Sequence, residues 1–188
     1  VLQQAYWLRS IGEAQMGLGN MDSAHEQFRK AVLILKHPSP VTNMGIIFGV
    51  VSQWFIQGLH RRFPGIFIGR LKDKDKELQE AAQTFTHLGY VNYIKLESLP
   101  MLYHVFKSLN ISEDGGSLSP ARVWALGTAS AILGFIPYHS LAKQYAEEAL
   151  RASAQVDNPR SQMWTHIAVG TYKLGIAEWD NSRTSLLK

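Results

Sequence analysis

The 188-residue chain contains no cysteine. Disulfides, thiolate metal ligands and a thiol nucleophile are thereby excluded. A large excess of either charge sign is also absent. Nineteen Lys and Arg against fifteen Asp and Glu leave a net +4, too mild to predict a nucleic-acid partner without a clustered basic face. No GxxxxGK[ST] phosphate loop and no GxSxG elbow occurs. Gly17-x-Gly19 lacks both the third glycine and the preceding strand of a dinucleotide fingerprint. The seven histidines include no HxxxH pair, the spacing that puts two imidazoles on one helix face for zinc. Each is expected on the surface or at a helix end. Glu147 and Glu148 are adjacent and diverge around a helix, a poor acid/base pair. The expectation is a chain with no catalytic residues, no metal and no cofactor.

A basic-then-apolar leader is absent too. The cysteine-free composition is compatible with the cytosol, and a cytoplasmic location is expected. Val1 stands where a start methionine would, and VLQQAYWLRS and SRTSLLK both read as helix without stop signals. The expectation is a segment of a longer protein whose terminal helices expose apolar side chains such as Trp179, Leu186 and Leu187.

What the chain does contain is helical punctuation. Apolar residues make up 46% and charged residues 18%, a balance that fits a folded domain. Residues 1–36 read as a helix pair around Gly17-Leu18-Gly19-Asn20, with Asp22 as N-cap and Ala24, Phe28 and Ala31 on the inner face of the second helix. Lys36-His37-Pro38-Ser39-Pro40 ends that unit. Residues 77–112 read as a second pair, followed by a polar loop at Ser112–Ser117. Residues 119–154 are a third pair, opened by Ser119-Pro120 as cap and first helical residue. Its turn is placed at Gly134-Phe135-Ile136-Pro137, and its second helix carries Ala142, Ala146 and Ala149. Residues 160–188 are a fourth, incomplete pair. The small residues Gly89, Ser130 and Gly170 recur at about forty residues, a period that predicts stacked helical units.

Residues 41–76 break the rhythm. Val41 to Leu59 holds no charged residue, and Met44, Phe48, Val51, Phe55 and Leu59 form a stripe widened by Ile46, Ile47, Val50 and Trp54. So broad an apolar face predicts a helix buried on most sides or covered by a partner. A membrane span or surface insertion is the alternative, since the run approaches the length of a bilayer core. The interval from Gly12 to Gly89 gives the segment the room of one atypical unit.

The first pair resembles the tetratricopeptide repeat, which places a small residue after an apolar one in its first helix and alanine, aromatic, alanine in its second. Ile11-Gly12, Ala24, Phe28 and Ala31 occupy those places. The linked order carries more. A repeat ending AVLIL leads through a Pro-Ser-Pro loop and a charge-free helix into LHRRFPGIFIGR, and EAAQTFTHLGYVNYI, SLPMLYHVFKSLNIS and LAKQYAEEALRAS follow. This resembles the helical-repeat region of large bacterial multidomain proteins in which an AAA-type ATPase module precedes the repeats. An adenylate/guanylate cyclase or a kinase domain often accompanies the ATPase. The resemblance implies one all-α domain, a right-handed α-solenoid of about four helix pairs, serving a signalling protein as a non-catalytic interaction or regulatory scaffold. Pro137, where a turn glycine is expected, and Ser130 and Ser182, for the usual Gly and Ala, depart from the repeat.

The repeat type also implies a groove lined by its first helices. Tyr6, Arg9, Glu13 and Met16 take those places in the first unit and Gln83, Thr86, Tyr90 and Tyr93 in the second. Trp124, Gly127, Ala131 and Gly134 take them in the third, and Trp164 opens the fourth. Such a groove would take an apolar protein segment, unless the tryptophans simply pack between repeats. Arg61, Arg62, Arg70, Lys72 and Lys74 form a basic cluster interleaved with Phe63, Ile66, Phe67 and Ile68. It could meet an acidic partner domain or an anionic membrane surface; Asp73 and Asp75 in the same run favour an ordinary solvated loop. Protein partners, including the upstream domains, and self-association are expected.

Overall fold

A computed structural model of the chain describes residues 1–136 and 138–187, so the turn assignment involving Pro137 lies outside the described residues. Those residues are helical and contain no strand, as the periodicity predicts. The helices are α1 (Leu2–Gly17), α2 (Met21–Ile34), α3 (Asn43–Arg62), α4 (Pro64–Phe67), α5 (Asp75–Ile94), α6 (Ser98–Gly115), α7 (Pro120–Phe135), α8 (His139–Ser153), α9 (Pro159–Gly175) and α10 (Trp179–Leu186). The chain divides into two compact units, Val1–Ser117 and Leu118–Lys188, where the sequence reading has a single repeat domain.

Sequential helices pack as pairs: α1 with α2, α5 with α6, α7 with α8 and α9 with α10. The chemistry of each pair is repetitive. A Cβ at Gly12 would stand 2.5 Å from Phe28, at Gly89 3.1 Å from Val105 and at Gly170 2.7 Å from Leu186. Each small residue therefore meets the residue sixteen positions later, which lets the two helices approach closely. Ser130 and Ala146, both buried in the third pair, have the same offset. The turn after the first helix is shared as well. Gly19, Leu96 and Ala177 all adopt positive φ, each seven residues after its small residue. The next N–H bonds back to a carbonyl five residues earlier, at 2.9 Å in Asn20 to Gln15, Glu97 to Asn92 and Glu178 to Lys173. Ala24, Phe28, Ala31, Ala142, Ala146 and Ala149 are all in the core, and Ser119 caps α7 through the Arg122 N–H at 3.3 Å. Asn20, not Asp22, is the N-cap of α2, and Asp22 falls in its first turn.

In the first unit the pair α1–α2 packs directly on α5. Residues 41–76 therefore do not fill a repeat-sized space between the two pairs. Helix α3 lies against α6 instead. Thr42 caps its N-terminus by accepting the Gly45 N–H at 3.1 Å, and Gly49 permits close approach to the Tyr103 ring. The chain then turns through α4 and a 3-10 turn at Lys72–Lys74. On the way it closes the end of α6: the N–H groups of Gly69 and Leu71 donate to the carbonyls of Glu113 and Asp114 at 2.8 and 2.9 Å, bonds that helix termini otherwise lack.

In the second unit α7 packs on both α8 and α9, and α9 on α10. Gly127 lets the backbone of Thr165 approach, and Tyr145 fills the centre with no exposure. Trp179, Leu186 and Leu187 are exposed.

Candidate interaction surface

Helix α3 is oriented against its hydrophobicity. The side facing α6 carries Gln53, Gln57 and His60, all buried, whereas Met44, Phe48, Val51 and Phe55 are each at least 60% exposed. Ile47, Ser52 and Gly58 share that outer face, and Trp54 is 37% exposed with its ring edge-on to Phe106 of α6 at 5.3 Å. The expectation of a helix buried on most sides is thus corrected, for reasons that lie in the groups opposite. Asn110 donates to the Gln53 backbone carbonyl and side-chain oxygen at 2.9 and 3.0 Å. Gln57 donates to Glu113 at 3.1 Å. His60 Nδ1 lies 2.7 Å from the same Glu113 oxygen, and its Nε2 lies 3.5 Å from Asp114. A buried polar group is stable only with partners. This set supplies them only when the polar side of α3 faces inward.

Glu113 and Asp114 lie in the last turn of α6, not in a polar loop as the sequence reading has them, and both are buried. Two carboxylates at the negative end of a helix dipole require cations. His60 supplies one. Burial alone would lower its pKa, but the hydrogen bonds and charges of Asp114 and Glu113 override this and raise it to about 9. Arg70 supplies another, donating to Asp114 at 2.7 and 3.2 Å. Arg61 lies 4.0 Å from Glu113. Burial would raise the Asp114 pKa, but His60 and Arg70 hold it below its usual range. Of the basic cluster, Arg61 and Arg70 thus face these acids. Arg62, Lys72 and Lys74 are exposed, with Arg62 over the Phe63 ring at 5.3 Å.

The predicted groove residues fall into separate groups. Arg9 is buried, 2.6 Å from Glu80, and also pairs with Glu13. Its guanidinium lies over the exposed Tyr6 ring at 5.2 Å. Glu13 is 2.8 Å from His87. Burial would raise the Glu13 pKa, but His87 and Arg9 lower it to about 2. His87 in turn stacks on Phe28 at 5.2 Å. Arg9 and Glu13 therefore tie α1 to α5. On α5, Gln83 and Tyr90 are partly exposed and Tyr93 is exposed. In the second unit Trp124 and Trp164 stack at 4.7 Å, Trp164 donates to Thr128 at 2.9 Å, and Arg160 lies 5.7 Å over Trp124. They form a half-buried aromatic pair.

Three histidines expected at the surface are buried: His60, His87 and His104. His104 lies in a cavity of about 120 Å³ lined also by His25, Arg29, Asn92, Glu97 and Tyr103. Ser39 Oγ is 2.7 Å from His104 Nε2, and Asn92 Oδ1 is 2.7 Å from Nδ1. The layout is that of a serine and its base. However, burial, reinforced by His25 and Arg29, lowers the His104 pKa to about 3. So weak a base does not activate a hydroxyl near neutrality. The contact instead holds the Pro38-Ser39-Pro40 loop against α5 and α6. Among the described residues, no group of three His, Asp or Glu side chains is placed to hold a metal. No helix among them is long and apolar enough to cross a membrane.

The sequence signal for this surface was the charge-free stripe itself. Its outward orientation depends on Asn110, Glu113 and Asp114, which lie more than fifty residues away.

No protein-family profile matches the chain, and no solved structure matches it. Part of the chain is similar to the DNA mismatch repair protein MutS of Clostridium botulinum. The protein of strain Loch Maree is 24% identical over 103 residues, 52% of this chain and 11% of that protein. That of strain Langeland is 24% identical over 99 residues, 50% of this chain and again 11% of its own length. The matched region is a small part of those proteins.

Proposed function

We propose that this chain is a non-catalytic interaction scaffold, a TPR-like right-handed α-solenoid segment of a multidomain signalling protein of the AAA-ATPase and nucleotide-cyclase kind. The observation that carries the reading is the outward apolar face of α3. A large exposed apolar patch marks an interaction site, and this one is fixed in place by buried polar contacts on the opposite side of the helix. The repeated sixteen-residue contact and the shared positive-φ turn support the repeat assignment. The partner is protein, and the scaffold acts by presenting a rigid surface in the cytoplasm.

The test is a photo-crosslinking amino acid at Val51 in the intact protein, with a second at exposed Tyr93 to probe the predicted groove. A discrete protein adduct at Val51 is expected. Adducts to lipid alone would overturn the scaffold reading in favour of attachment to a membrane surface through 41–70. Exposed Phe63 and Ile66 beside α3 are the observation that favours that second reading. The engagement of Arg61 and Arg70 with Glu113 and Asp114 weakens its electrostatic part.

A further inference from the structure

We infer that the outward face of α3 binds a second copy of this chain, as an antiparallel helix pair related by a two-fold axis through Val51. The inference rests on the reading of α3 as an interaction face and names its occupant. Three observations carry it.

The face is symmetric about its centre. Its exposed apolar positions are 44, 47, 48, 51, 54, 55 and 58, which are Val51 and the residues three, four and seven places to either side; Ser52 is exposed beside them, and Trp54 also packs against the Phe106 ring at 5.3 Å. A two-fold axis at Val51 therefore sets Phe48 against the partner's Trp54 and Phe55 against the partner's Ile47. It also sets Met44, the longest unbranched side chain of the face, against the partner's Gly58. Gly58 has open space where a side chain would stand. A projecting side chain opposite a vacancy is the complementarity that helix packing requires, and an isologous contact must supply both from one surface.

The charges are arranged to permit it. No charged residue occurs from Val41 to Leu59, and Arg61 and Arg62 stand only at the C-terminal end of α3. A twenty-residue helix is about 30 Å long. An antiparallel pair separates the two arginine clusters by about that distance, whereas a parallel pair would place like charges side by side.

The area is sufficient. Met44, Ile47, Phe48, Val51, Trp54 and Phe55 are between 37 and 67% exposed. Together they leave roughly 700 Å² accessible, close to the ~800 Å² that each partner of a standard interface buries. Apolar area dominates the contact, as in lasting homodimers.

Sedimentation equilibrium of the chain at micromolar concentration tests the inference. The expected mass is twice the 21.1 kDa of one chain. Val51→Asp, which sets two carboxylates on the axis, is expected to weaken association by about 100-fold. Phe55→Glu is expected to act likewise. Both sites are exposed, so the helical circular dichroism of both variants should be unchanged. Because the chain lacks cysteine, Val51→Cys should form a disulfide-linked dimer on oxidation. A mixture of Met44→Cys and Gly58→Cys chains should crosslink to each other and not to themselves. A monomeric wild-type chain overturns the inference, as does a dimer unaffected by both acidic substitutions or self-crosslinking of Met44→Cys. A monomer whose Val51 photo-adduct is another protein removes the second copy and leaves the scaffold reading intact. A monomer with only lipid adducts removes both.

Discussion

At the scale of single residues, buried charge determines which helix meets which. His60 has a folded pKa raised to about 9, above its unfolded value of about 6.5. Its stabilisation is therefore complete below pH ~6.5 and is lost as pH rises through about 9. In hydrogen exchange, α3 should become less protected across that window, and His60→Gln should show the lower protection at all pH values and remove the step. His104 has the opposite sign. Its folded pKa is depressed to about 3, so its contribution is present above pH ~6.5 and declines as pH falls toward 3. Arg9 is the third case. Removing it strands Glu80 in a partly dry site and leaves Glu13 only its contact with His87, and loss of one partner of a buried pair costs about 3–5 kcal/mol. Arg9→Ala should lower the urea midpoint accordingly, a larger loss than a mere groove-lining arginine would give. None of these partners was legible in the sequence. Arg9 reads as a groove residue because its neighbours on α1 do, and its partner Glu80 is 71 residues away.

At the scale of elements, the sequence was legible wherever the signal is local. Ala24-Phe28-Ala31, Ser119-Pro120 and the recurring small residues each report a helix, a cap or a close approach that needs only near neighbours. The shared turn was missed because two of its three positive-φ positions are not glycine. Leu96 has φ 59° and Ala177 φ 62°, so both hold side chains in a region that favours glycine. Leu96→Gly should stabilise the fold by about 0.5–1 kcal/mol despite removing an apolar side chain, because that side chain is 85% exposed. A rise in thermal midpoint checks this. Helix α3 misleads for a different reason. Periodicity locates its apolar stripe correctly, but the rule that apolar faces turn inward fails where a buried polar set binds the other side.

At the scale of the whole chain, the buried ion pairs described above, His60 with Glu113 and Asp114 and Arg9 with Glu13 and Glu80, lie in residues 1–117. Hydrogen exchange on shifting pH from neutral to 9 should therefore change around α3 and the end of α6, where His60 meets Glu113 and Asp114. The placement of α3 adds one more consequence. Pair α1–α2 meets α5 directly, so the excursion from Leu35 to Lys74 is a side branch that both leaves and rejoins the stack. Closing a loop of that length costs only slightly more than closing a short one. The branch can thus lift from α6 as a separate cooperative unit while the four-helix stack persists, and its exposed Arg62, Lys72 and Lys74 are trypsin sites. Light digestion should nick the chain there first and leave α1, α2, α5 and α6 associated, so that the fragment most exposed to partners is also the one most cheaply removed.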